Sequence, residues 1–170
     1  MDAPFSTAVL RYRFLFTAAI VAVLDISFAG TYWVVIRHAS TFPKIFQSIA
    51  AGLLGKAAFQ GGSQTVILGA ALHCVVAAGW TAIFFLAARH WGGLRRVLIR
   101  PNGALITGAP YGVFVWLMMT FAIIPLSRTT PAAVASSWFW ISLAWHAVGV
   151  GVPIAVGAKQ QNRGERTTSS

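Results

Sequence analysis

Four stretches of the chain, residues 14–36, 65–87, 104–126 and 137–156, are almost uninterrupted runs of apolar residues. Each matches the roughly 20 apolar residues that a helix needs to cross a hydrocarbon core about 30 Å thick. No other feature constrains the fold as much, because a chain in lipid must satisfy its backbone hydrogen bonds internally. Only 9% of the residues are charged, against about 25% in ordinary soluble domains. The 57% hydrophobic content equally excludes disorder, which requires low hydrophobicity. The expected fold is all-α: an integral membrane bundle of four transmembrane helices plus one amphipathic interfacial or re-entrant helix. Residues 1–158 form a single membrane domain. Residues 159–170, polar throughout, read as a disordered cytoplasmic tail.

The first run has a competing explanation as a signal peptide. Arg11 and Arg13 supply a basic start, 14–24 an apolar centre, and Ser27, Phe28 and Ala29 the small residues of a cleavage site. The apolar character continues through Tyr32, Trp33, Val34, Val35 and Ile36. A span needs that extension and a signal peptide does not, so an uncleaved helix is expected.

Residues 42–60 differ from the runs around them. Thr41 can N-cap a helix with Pro43 in its first turn, and Gly61-Gly62 can end it. Phe42, Ile45, Phe46, Ile49, Leu53 and Ala57 share one face at 100° per residue; Lys44, Gln47, Ser48, Ala51 and Gly55 share the other. Such a helix lies in the membrane interface, dips into it, or caps the bundle. In the third run Gly108 and Gly112 form a G-x-x-x-G pair that admits a second helix backbone. This pair is the expected helix-packing and dimer face. Pro110 between them and Pro153 in the fourth run each remove a backbone hydrogen bond and should kink their helices.

Thirteen Lys and Arg face three Asp and Glu, a formal net charge of +10. The cations occupy the gaps between runs, as expected beside anionic headgroups. No recognition motif accompanies them, so no nucleic-acid partner is expected. Arg11, Arg13, Arg89, Arg95, Arg96, Arg100, Lys159, Arg163 and Arg166 fall on one side; Arg37, Lys44, Lys56 and Arg128 fall on the other. The positive-inside rule then puts both termini in the cytoplasm. Tyr32, Trp33, Trp138, Phe139 and Trp140 form an outer aromatic belt, with Tyr12 and Trp91 near the inner one. The single cysteine, Cys74, excludes an internal disulfide.

Three ionisable residues lie within the runs: Asp25, His73 and His146. At about 1.5 Å per residue they sit about 16, 12 and 14 Å from the outer ends, near the midplane. Asp25 shares a face with Ala18, Ala22 and Ala29; His73 with Gly69, Val76 and Trp80; His146 with Ser142, Gly149 and Pro153. Such small neighbours suit close helix packing, and the trio reads as one buried polar cluster. Tyr111, on a face with Val115 and Met119, is a possible contributor. A carboxylate at the bilayer centre costs roughly 2.5–3.5 kcal/mol on insertion scales, so Asp25 needs a reason. The first reading is structural, a hydrogen-bonded cluster fixing the bundle of a small structural or accessory membrane protein. The alternative is a proton-, ion- or small-solute-binding or transport element, since intramembrane Asp and His mark such paths. Bis-His haem ligation by His73 and His146 and a His/His/Asp metal site stand behind these. No cofactor or metal is expected. No G-x-S-x-G elbow, P-loop or G-x-G-x-x-G is present, and the chain reads as not an enzyme. Expected partners are the lipid bilayer and a second copy or a membrane partner subunit.

The segment Gln47-Ser48-Ile49-Ala50-Ala51-Gly52-Leu53-Leu54-Gly55, Leu72-His73, Pro125-Leu126-Ser127 with Pro131, and His146 with Val152-Pro153-Ile154-Ala155 together resemble a group of small bacterial four-span inner-membrane proteins, the YagU-like group. The resemblance covers most of residues 14–156 through short, mostly apolar motifs. It implies a multi-pass protein of the bacterial cytoplasmic membrane and carries no activity to any residue.

Overall fold

The computed structural model describes residues 7–129 and 136–167, with side chains described for 9–129 and 136–161. Among them there is no strand. Helix α1 (Thr7–Gly30) continues as a π-helical turn, Thr31–Ile36. Helix α2 (Phe42–Leu54) runs into a 3-10 turn, Gly55–Gln60. Then come α3 (Gly62–His90), the short α4 (Gly92–Leu98) and α5 (Gly103–Met118). A second π turn, Met119–Ile123, joins α5 to α6 (Ile124–Leu126). The last helix is α7 (Ser137–Trp145), a third π turn (His146–Gly151) and α8 (Val152–Thr167).

Four helical segments are long and apolar enough to cross a membrane: Val9–Ile36, Gly62–His90, Gly103–Leu126 and Ser137–Gln161. These are spans one to four of a multi-pass membrane protein. Several boundaries differ from expectation: span one starts at Val9 and not at 14, span two runs from Gly62 to His90 and not from 65 to 87, and span four ends at Gln161 and not at 156. The last helix continues to Thr167, through most of the segment expected to be disordered. Its start is held by neighbours: the Lys159 ammonium donates to the Arg100 and Pro101 carbonyls, and the Arg13 guanidinium to the Gln160 carbonyl.

The core consists mainly of small and β-branched residues, with a few larger side chains. Val21, Ala22, Ala77, Ala88, Val150, Ile154, Ala155 and Ala158 form one cluster with Phe84, Phe85 and Leu98. Large apolar side chains point away from it, among them Leu15, Val23, Ile67, Val75 and Leu126. Lipid tails are as apolar as leucine, so burying a bulky side chain gains little and close backbone approach gains more. Spans three and four show this directly. A Cβ on Gly108 would lie 2.7 Å from the Gly151 oxygen and 2.8 Å from Val152 Cα. One on Gly112 would overlap the His146 carbonyl oxygen. The glycine pair is therefore filled by span four of the same chain and is not a face for a second copy. Pro110 leaves α5 continuous.

The segment after span one begins as the sequence suggests: Thr41 Oγ1 accepts from the Lys44 amide at 3.5 Å, and Pro43 sits in the first turn. Its facing departs from the expectation in part: Ile45 is buried and Lys44 and Ser48 are exposed as expected, but other positions differ. Gln47 and Ala51, assigned to the polar face, are buried, whereas Phe42 and Leu53 from the apolar face are 49% and 56% exposed. Gln47 Nε2 donates to the Gly62 carbonyl and Thr65 Oγ1, each at 3.3 Å. The Phe46 backbone fills the notch at Gly69, and the Phe42 ring fills that at Gly30. At its far end the Arg128 amide donates to the Gly52 carbonyl at 3.0 Å. Helix α2 thus contacts span one, span two and the end of span three, with Leu53 and Leu54 outward.

Candidate functional site

Asp25 lies 11 residues inside the Ile36 end of span one, and His146 nine residues inside the Ser137 end of span four. These are depths of about 16 and 14 Å, and the two side chains meet. His146 Nε2 is 3.8 Å from Asp25 Oδ1. That is too long for a hydrogen bond and within the reach of an ion pair when the ring is protonated. The side chains are 28% and 18% exposed, so the pair is half-buried and not the fully buried cluster expected.

The ring orientation of His146 is fixed locally. Its Nδ1 is 2.7 Å from the Ser142 carbonyl, one turn earlier in the helix. A carbonyl only accepts, so Nδ1 carries a proton. In the neutral ring Nε2 is then bare, and it faces the carboxylate. His146 is also the first residue of the π turn His146–Gly151. Single π turns within α-helices frequently occur at functional sites.

His73 does not join the pair. Its Nε2 lies 2.9 Å from the Ala22 carbonyl of α1 and donates to it. Depth is not the reason, since the earlier start of span two puts His73 about 16 Å in. The reason is direction round α1: Ala22 and Asp25, three residues apart, project about 60° apart. His73 of span two reaches the Ala22 carbonyl, and His146 of span four reaches the Asp25 side chain. With one histidine nitrogen given to the α1 backbone and the other histidine turned to a carboxylate, no pair of Nε2 atoms is free for axial haem ligation. Among the described residues no group of three or more His, Cys, Asp or Glu can hold a metal ion.

Tyr111 does not contribute either. Its hydroxyl donates to the Trp80 carbonyl at 2.6 Å, which ties span three to span two. Cys74 is exposed on the bundle surface.

A cleft of about 170 Å³ opens between spans three and four. Trp116, Met119, Thr120 and Ile124 line it from span three, and Trp138, Phe139, Ser142 and His146 from span four. From Trp138 to His146 it follows eight residues of helix, about 12 Å, with His146 at the inner end. Its walls are stiff. Trp116 Nε1 donates to Ser142 Oγ at 2.9 Å, and the Trp116 and Phe139 rings meet edge to face at 4.4 Å. Trp138 packs on Tyr32 and Trp33 of span one, and the Tyr32 hydroxyl pairs with Ser137 Oγ at 2.8 Å. Beside the pair, the Phe28 ring stacks on Trp145 at 4.6 Å and 5°. The buried Trp145 Nε1 has no hydrogen-bond partner among the described residues.

Sequence reasoning placed Asp25 and His146 at one depth and Ser142 on the His146 face. It did not find the cleft walls, Trp116 and Trp138, or the Phe28–Trp145 stack. The one signal for them was the concentration of aromatic residues at the start of the fourth run. Comparison of the chain with family models, with curated proteins and with solved structures returned no match in any of the three.

Proposed function

We propose that this multi-pass membrane protein carries a one-proton binding site, the Asp25–His146 pair, in contact with the outer side of the membrane through the cleft between spans three and four. It acts as a proton-linked binding or transport element of the bacterial cytoplasmic membrane, with both termini in the cytoplasm. The observation that carries this reading is the orientation of His146. The Ser142 carbonyl holds the Nδ1 proton, and a bare Nε2 faces the Asp25 carboxylate 3.8 Å away at the inner end of an open cleft. Neutral imidazole with carboxylate has a net charge of −1, and one added proton brings the pair to zero. An uncompensated charge in lipid is costly, so the proton state of the pair has structural consequences.

The competing use, as glue for an accessory protein, gains less support. At 3.8 Å the pair forms no hydrogen bond, and other contacts hold the bundle. The glycine notches join spans three and four, His73 binds span one, and Tyr111 binds span two. The site is complete within one chain, so it needs no second copy, and its work is binding and not catalysis. The orientation rests on the excess of Lys and Arg in the gap at 91–102 and near both termini. The resemblance to the YagU-like group supports the bacterial location.

The test is proton uptake by purified protein in lipid nanodiscs on acidification. The wild type should take up one more proton per chain than Asp25→Asn. His73→Gln should behave as wild type. Equal uptake by wild type and Asp25→Asn would overturn the reading.

A further inference from the structure

We infer that the cleft binds a small hydrophobic organic cation, such as a quaternary ammonium group on a single ring, and that binding releases the proton held by Asp25 and His146. The inference rests on the proton site proposed above and adds its ligand.

Size comes first. A dry cavity of about 150 Å³ accommodates benzene, so 170 Å³ accepts a body of one ring, and larger groups extend through the open mouth. The lining then selects chemistry. Trp116, Trp138 and Phe139 present aromatic surface, and the faces of such rings attract cations, tryptophan most strongly. Of the two lining hydroxyls, Thr120 and Ser142, the second is already engaged: Ser142 Oγ accepts from Trp116 Nε1 and donates to the Phe139 carbonyl at 3.1 Å. A ligand rich in hydrogen-bonding groups would therefore find few partners there.

Charge decides between a neutral and a cationic occupant. No Lys or Arg lines the cleft, and Asp25 is the one acidic residue within the four spans. It does not itself line the cleft, but its Oδ1 is 3.8 Å from Nε2 of the His146 ring, which does. A cation on the cleft side of that ring would be about 8 Å from the carboxylate. At an effective dielectric of about 20 this attraction amounts to about thirtyfold in affinity. The same site cannot hold the cation and the extra proton without a net positive charge in lipid. With the proton the pair is neutral; with the cation beside neutral imidazole and carboxylate the site is again neutral. Cation and proton are therefore alternatives, exchanged one for one. No bond other than the N–H or O–H of the released proton breaks.

The experiment uses the full chain in nanodiscs and two probes of matched shape, benzyltrimethylammonium and its uncharged analogue neopentylbenzene. Binding is read from the fluorescence of the tryptophans and from calorimetry in buffers of different ionisation heat, which counts released protons. The cation should bind with release of one proton. Its Kd should fall up to tenfold per pH unit over the range where the free pair is protonated. Asp25→Asn, which keeps the shape, should weaken it by at least about tenfold and abolish the release. Neopentylbenzene should bind more weakly than the cation, and independently of pH. Equal binding of both probes, pH-independent binding of the cation, or no binding of either would overturn the inference. In each of those outcomes the proton uptake of the unliganded wild type, measured separately, still decides the proton site on its own.

Discussion

Replacing Gly112 by alanine should destabilise the bundle without changing its oligomeric mass. The added Cβ would overlap the His146 carbonyl oxygen and lie 2.7 Å from the His146 carbonyl carbon and 2.9 Å from Ala147 Cα. All three are backbone atoms, so no side chain can rotate away. Spans three and four must separate by about 1 Å or the His146 turn must shift; overpacking of this kind typically costs about 1–3 kcal/mol. For a chain of this size that is roughly 2–12 °C in Tm. Gly79 provides the control, because a Cβ there meets nothing within 4 Å. Alanine at that position should be neutral or stabilising by up to about 1 kcal/mol, through its better helix propensity. The assay is thermal unfolding in detergent, with native mass recorded for each variant. A Gly112→Ala protein that melts with the wild type would refute the backbone contact between spans three and four. A variant that kept its Tm but changed its mass would put the glycine face between copies instead.

Double-mutant cycles should separate the two histidines. Asp25→Leu and His146→Leu should couple, within the range of about 0.6–1.7 kcal/mol found for polar contacts in membranes, whereas Asp25→Leu and His73→Leu should add to within about 0.5 kcal/mol; the reverse pattern would assign Asp25 to the wrong helix. Tyr111→Phe removes the hydrogen bond to the Trp80 carbonyl and should cost about 0.5–1.5 kcal/mol in detergent stability. It should leave proton uptake unchanged, and a loss of uptake would return Tyr111 to the site. A reporter fused after Ser170 should be active only in the cytoplasm, and activity on the outer side would invert the orientation.

The elements legible in the sequence are those set by local pattern. The four spans follow from run length, and the start of α2 from Thr41 and Pro43. The common depth of Asp25 and His146 follows from rise per residue, because both count from span ends on one side of the membrane. What was not legible depends on direction and on solvent. His73 matches the others in depth, yet it approaches α1 from span two, and only packing decides that side. The facing of α2 was legible only in part: Ile45 turns inward as an apolar stripe does in water, but beside lipid the small and hydrogen-bonded residues Ala50, Ala51 and Gln47 share the inner face. The three π turns have no compositional signature. Two of them, at Met119–Ile123 and His146–Gly151, lie in the two helices that border the cleft. The helix at Lys159 is held by contacts with Arg100 and Pro101, 59 and 58 residues away in the chain.

The most direct test of the proton site is nitrogen NMR of His146 in protein with labelled histidines, recorded across pH in nanodiscs and assigned with His38→Gln, His73→Gln and His90→Gln. At high pH His146 should show a protonated Nδ1 and a bare Nε2. In Asp25→Asn the Nε2 resonance should change, because the group facing it has lost its charge. A ring protonated on Nε2 and bare at Nδ1 at high pH, or an Nε2 resonance that Asp25→Asn leaves unmoved, would contradict the pairing of Asp25 with His146.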